Sequence, residues 1–130
     1  MDLIIDKKTI RKSTTIVLLL FCLASSLCLS QELSQPNYRV IEELDVKVPM
    51  RDGIRLSTDI YRPDVPDKFP VLLMRTPYGN GGKGDKEGHF YARRGYVVVI
   101  QDTRGRYDSE GIFDAFQPES FDGYDTQQWI

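Results

Sequence analysis

The sequence predicts an α/β fold of two parts, a β-hairpin followed by a βαβ unit. Three observations carry that prediction. Val71-Leu72-Leu73-Met74 and Val97-Val98-Val99-Ile100 are short, continuously apolar runs, the pattern of strands buried on both faces of a parallel sheet. A helical stretch separates them and completes a strand–helix–strand unit. Ahead of both, two alternating stretches flank Asp52-Gly53, a dipeptide whose glycine supplies the positive φ of a tight reversal.

The first alternating stretch runs from Tyr38 to Val48, with Val40, Leu44, Val46 and Val48 apolar among charged neighbours. Pro49 to Gly53 is the turn. Ile54 to Arg62 returns with Ile54, Leu56, Thr58 and Ile60 on one face. Pro63 to Phe69 is a surface loop. Between the apolar runs lie a glycine-rich bend, Gly79 to Gly84, and a helix from about Asp85 to Arg94. Asp85 is suited to cap its start, and Gly95 stands where a left-handed residue closes a helix. A long loop, Thr103 to Ser120, precedes a last helix that begins near Asp122 and still runs at Trp129-Ile130. This sheet is incomplete, with a bare far edge. Residues 40–130 therefore read as the front part of a larger domain.

The first thirty residues have a different character. Lys7, Lys8, Arg11 and Lys12 precede the unbroken apolar run Ile16 to Ala24. That run suits a signal sequence and is too short to span a bilayer, which takes roughly 20 residues. Small side chains at Cys28 and Ser30 allow cleavage before Gln31, and Ala24 with Ser26 offers a second cut. The alternative is an anchor helix that stays attached. The expectation is a signal peptide over 1–30, a linker over 31–39 and an exported product, periplasmic or extracellular, that meets a membrane only during export. Residues 31–130 hold 13 basic and 17 acidic side chains, so a broad electrostatic footprint for nucleic acid is excluded. Both cysteines, Cys22 and Cys28, fall in the first thirty. The rest has no disulfide framework and no thiolate nucleophile.

Ligands of open α/β sheets bind at the carboxyl ends of the strands. Here those ends carry Arg75-Thr76-Pro77-Tyr78 and Asp102-Thr103-Arg104-Gly105. Pro77 fixes the local backbone and directs Tyr78. A phenolic hydroxyl donates hydrogen bonds well, and such a donor aimed at a developing alkoxide builds an oxyanion hole. The competing reading is a packed Tyr with its hydroxyl at the surface. Asp102 and Arg104 read as structural charges that shape the loop by ion pairing. Arg106, Asp108 and Glu110 read as charges on the loop surface. Ser109 precedes Glu110-Gly111, but no Gly leads it and it lies in a loop, so it is not a nucleophile elbow. Gly79 to Gly84 lacks the Ser or Thr of a phosphate loop after Lys83. His89, the one histidine of the chain, reads as a packed helix residue. No metal-ligand spacing is present.

The stretch Val48 to Pro63 resembles the opening hairpin of the Xaa-Pro dipeptidyl-peptidase and cocaine-esterase-like (CocE/NonD, peptidase S15-type) serine hydrolases. Three further blocks match in order. They are Phe69 to Tyr78, then Gly95 to Gly105 with Ser109-Glu110-Gly111, then Asp122 to Thr126 with Trp129-Ile130. The resemblance implies the N-terminal portion of an α/β-hydrolase fold. It implies hydrolysis of a small ester or amide, or a short peptide, through an acyl-enzyme, with no cofactor and no metal. A serine nucleophile is implied roughly twenty residues after Ile130, with an Asp and a His further on; this chain would hold none of the three and be inactive alone. The catalytic element that maps onto these residues is Tyr78, as an oxyanion-holding hydroxyl. Two rival expectations are a secreted binding module built on the same front half, and a truncated product that does not fold.

Overall fold

A computed structural model describes residues 34–130. The signal-peptide reading of 1–30, both cysteines and the start of the linker lie outside the described residues. Four strands and two helices follow in order: β1 (Val40–Pro49), β2 (Arg55–Pro63), β3 (Val71–Thr76), α1 (Lys86–Ala92), β4 (Val97–Asp102) and α2 (Glu119–Trp129). The sheet order is β1-β2-β4-β3. β1 pairs with β2 and β2 with β4 antiparallel, whereas β3 and β4 run parallel, with Leu72 opposite Val98 and Thr76 opposite Asp102.

The hairpin forms where Asp-Gly demands it. Gly53 has φ 86°, its N–H donates to the Met50 carbonyl at 2.9 Å, and the Met50 N–H reaches the Ile54 carbonyl at 2.8 Å. β1 does not alternate along its whole length as the sequence suggests. Its register shifts between Glu43 and Val46, and Asp45 adopts φ 53°. This bulge turns Leu44 outward, away from the core.

Two further expectations need correction. β2 is buried from Leu56 to Tyr61 on both faces, because it lies between β1 and β4. β3 is an edge strand, with Val71, Leu72 and Met74 exposed by 39%, 37% and 41%. Its apolar run is as continuous as that of β4, yet only β4 is paired on both sides.

The helices cover opposite faces. On one face Tyr61, Val98 and Ile100 meet Ala92 of α1. Gly88 makes this contact possible, since a Cβ there would lie 2.5 Å from the Tyr61 ring. Asp85 caps α1, its Oδ1 accepting from the Gly88 N–H at 2.7 Å, as the sequence suggests. On the other face Thr126 of α2 places its Oγ1 2.9 Å from Gln101 Oε1. Val48, Met50 and Leu56 form a second apolar cluster.

The glycine-rich segment is pinned rather than a loose bend. The Gly82 N–H donates to Asp59 Oδ2 at 2.8 Å, the Gly82 carbonyl accepts from the Tyr61 hydroxyl, and the Gly84 N–H donates to Glu42 Oε1 at 3.0 Å. Asp59, nearly fully buried, also accepts from the Asp45 N–H at 2.8 Å. One carboxylate thus fixes both the bulge of β1 and the loop before α1.

Candidate functional site

The carboxyl ends of β3 and β4 lie side by side, joined by the Thr103 N–H and the Thr76 carbonyl at 2.9 Å. Beyond β3, the Tyr78 N–H donates to Thr76 Oγ1 at 3.1 Å and Arg106 Nε donates to the Pro77 carbonyl at 3.1 Å. These two bonds hold the Thr-Pro-Tyr turn and leave the phenol outside. Tyr78 is 81% exposed. Arg106 is therefore part of the site's support and not merely a loop-surface charge.

Tyr78 borders a cleft of about 410 Å³ whose lining includes Arg75, Pro77, Thr103, Phe113 and Phe116. Gly105 lets its far wall approach: a Cβ there would stand 2.2 Å from the Phe113 backbone nitrogen. The Arg106 guanidinium lies 5.2 Å from the Phe113 ring centre, a distance that favours a cation over an aromatic face.

Arg75, at the floor, is bound on several sides. Its Nε donates to Gln101 Oε1 at 2.8 Å, and its Nη1 lies 2.8 Å from Glu119 Oε2 and 3.0 Å from the Glu119 carbonyl. Burial pulls its guanidinium below the usual value, against the opposing effect of Glu119 and Asp122.

Unpartnered polar atoms occur at these strand ends. Among the described residues, the buried side-chain atoms without a hydrogen-bond partner are Arg75 Nη2, both Asp102 carboxylate oxygens and Thr103 Oγ1. Nη2 has the Asp122 carboxylate at 3.7 Å, beyond hydrogen-bonding reach. All three residues stand at the carboxyl ends of the parallel pair. Burial raises the Asp102 carboxyl to about 6, against the lowering effect of the Asp108 backbone N–H and of Lys47, while the charges of Asp108 and Asp59 favour the rise.

The charges after β4 behave differently from expectation. Among the described residues Asp102 forms no salt bridge, whereas Arg104 binds Asp122 and Asp52. These carboxylates raise the Arg104 guanidinium above its usual value. Glu110 clasps Arg55, with Oε1 2.8 Å from Nη2 and Oε2 accepting the Arg55 N–H at 2.9 Å. Ser109 is committed to structure: its Oγ accepts from the Ser57 N–H and donates to the Asp102 carbonyl, both at 2.9 Å. His89 Nε2 is 2.5 Å from Glu42 Oε1, on the face that α1 covers. No group of three or more His, Cys, Asp or Glu among the described residues is placed to hold a metal ion. The sequence marked the Tyr78 and Asp102 segments. It gave no signal for Phe113 and Phe116, which reach the cleft through an irregular loop.

The same residues have counterparts elsewhere. Residues 52–130 match the X-Pro dipeptidyl-peptidase (S15) family. Cocaine esterase of Rhodococcus sp. (strain MB1 Bresler) is 45% identical over 105 residues, which cover 72% of this chain and 17% of that protein. Among solved structures, an α-amino acid ester hydrolase superposes with a TM-score of 0.60 at 28% identity, over 75% of this chain and 19% of its own. A CocE/NonD family hydrolase from Staphylococcus aureus superposes with a TM-score of 0.62 at 29% identity, over 69% and 20%. The chain thus spans about a fifth of the length of these relatives. From the hairpin turn through α2, the shared sequence follows the shared strand order, and the chain belongs to the X-Pro dipeptidyl-peptidase (S15) family.

Proposed function

We propose that this chain supplies the oxyanion-binding part of an exported serine hydrolase that cleaves an ester or amide bond. The observation that carries the reading is the Tyr78 hydroxyl. It stands exposed beside the cleft, on a turn held by Thr76 and Arg106, with no hydrogen-bond partner among the described residues. In this reading a serine from outside these residues attacks the substrate carbonyl carbon, and a histidine takes the serine proton. The carbonyl oxygen gains charge, and the Tyr78 O–H donates to it. The alcohol or amine leaves with the proton from the histidine, and water then releases the acyl group by the reverse steps. His89 does not serve as that base, because Glu42 holds it on the α1 face.

The test is Tyr78→Phe in the full-length protein that carries this chain. The kcat/KM for ester hydrolysis is expected to fall on the order of 10²-fold with Tm unchanged. An unchanged rate overturns the role. The 130-residue chain alone is expected to show no hydrolysis sensitive to serine-directed inhibitors, and such hydrolysis would contradict the reading. Export predicts that the protein isolated from cells starts at or near Gln31.

A further inference from the structure

Helix α1 borders a groove of about 520 Å³ whose lining includes Pro36, Lys86, His89, Phe90, Arg93 and Arg94. Charge sets this groove apart. Residues 31–130 hold 13 basic side chains. Lys47, Arg51, Arg55, Arg62, Arg75 and Arg104 each meet a carboxylate in a salt bridge. Lys86, Arg93 and Arg94 meet none among the described residues, and all three line this one groove. No carboxylate shares the lining among those residues. Glu42 approaches through His89, but it is spent on that ring at 2.5 Å and on the Gly84 N–H at 3.0 Å. Glu87 lines a separate recess, with Leu72 and Met74 of β3. A recess lined by one sign of charge focuses its field and concentrates counter-ions.

Two features fix the groove before any ligand arrives. The Arg94 guanidinium lies 3.8 Å from the Phe90 ring centre, and its Nη1 donates to the Phe90 carbonyl at 2.9 Å. A guanidinium already stacked and hydrogen-bonded loses less freedom when an anion binds it. The Arg93 carbonyl accepts from the Tyr38 N–H at 3.0 Å, which brings the segment carrying Pro36 to the end of α1.

Three unanswered cations call for a ligand with two or more negative charges. Two guanidinium forks among them suit the oxygens of a phosphoryl group. The surroundings limit its size. A volume of about 520 Å³ lies within the range of small-molecule sites. Beyond the groove the body is acidic, with 17 acidic to 13 basic side chains over residues 31–130, and repels a long polyanion or an anionic lipid surface. We infer that this groove binds a small soluble anion that carries two or more negative charges on phosphoryl groups. The inference does not depend on the hydrolase reading above.

The experiment titrates the full-length protein that carries this chain with inorganic pyrophosphate, in a calorimeter at low ionic strength. One saturable equivalent is expected, bound more weakly as salt rises. Lys86→Gln and Arg93→Gln, at exposed positions, are each expected to weaken binding by about tenfold, the scale of a hydrogen bond to a charged group. Arg94→Lys keeps the charge and loses the fork, and its affinity should fall between those of the parent and Arg93→Gln. Lys68→Gln removes a cation from the loop between β2 and β3 and is expected to change nothing. Thermal melts establish that each variant is folded.

A titration without saturable binding overturns the inference, including the case in which another segment of the protein covers the groove. Equal weakening by Lys68→Gln overturns it too, because the attraction is then diffuse rather than sited. Citrate that binds as tightly as pyrophosphate overturns the phosphoryl preference. Phosphatidylglycerol vesicles that capture the protein through Lys86 and Arg93, with pyrophosphate unable to compete, overturn the soluble ligand in favour of a lipid surface.

Discussion

Arg104 and Asp122 meet at two points, Nε to Oδ2 at 3.0 Å and Nη2 to Oδ1 at 2.7 Å. The contact joins the segment after β4 to the first turns of α2, and the Asp122 side chain is almost wholly shielded from water. Removing the guanidinium would leave that carboxylate with only Arg75, at 3.7 Å. Arg104→Ala is therefore expected to lower stability by about 3 kcal/mol in denaturant melts. Arg104→Lys should recover less than half of the loss, because an ammonium cannot reproduce the planar two-point geometry. The second contact, to Asp52, involves a half-exposed carboxylate. Asp52→Ala should cost much less than Arg104→Ala in the same melts.

Gly88 gives a prediction whose sign runs against helix propensity. In an exposed helix, Gly to Ala adds about 1 kcal/mol of stability. Here the added Cβ would stand 2.5 Å from Tyr61 Cδ2 and 2.6 Å from Cγ, and that ring is fully buried. Gly88→Ala should instead destabilise by about 2 kcal/mol through overpacking. In a Tyr61→Val background the penalty should shrink or reverse. A double-mutant cycle checks this coupling; additive effects would contradict it.

Asp102 predicts a pH dependence opposite to that of the ion-paired carboxylates. Its folded value, about 6, lies above the ordinary 3.8. The folded state therefore holds this proton more tightly than the unfolded state does. The resulting stabilisation is complete below about pH 4 and is lost as pH rises through about 6. Glu42, Asp45, Asp52, Glu110 and Asp125 are shifted downward by their partners. Their stabilisation is lost at the acid end instead. Asp102→Asn should be more stable than the parent by on the order of 2 kcal/mol at about pH 8, with the difference vanishing near pH 4. Urea melts across that interval measure it, and a constant difference would contradict the assignment.

How much of this could be read in the sequence depends on how local each cause is. The hairpin was legible because Asp52-Gly53 sets its geometry within a few residues. The cap of α1 was legible for the same reason, since Asp85 reaches the Gly88 N–H three residues away. Which apolar run lies at the edge was not legible. Val71–Met74 and Val97–Ile100 are alike in composition, and the choice is made by β2 pairing with β4, some forty residues distant in sequence. Asp102 and Arg104, two residues apart, suggested shared loop-shaping ion pairs. Arg104 lies beyond the end of β4, however, and there the chain turns it toward Asp52 and Asp122. Tyr78 was marked by the turn before it and by the resemblance. The aromatic wall opposite it was hidden, because Phe113 arrives through a backbone contact at Gly105 that no periodicity encodes.

Tyr61 contacts both α1 and the glycine-rich segment that leads into it. Its ring face sets how closely α1 can settle on the sheet, and its hydroxyl clips the Gly82 carbonyl in the segment leading from Tyr78 to α1. One side chain is thereby both spacer and latch. A substitution that trims the ring would let the helix sink, and one that deletes the oxygen would remove one of the three bonds that pin the loop. Evolution can thus adjust these two movements separately at a single position, by choosing size or polarity.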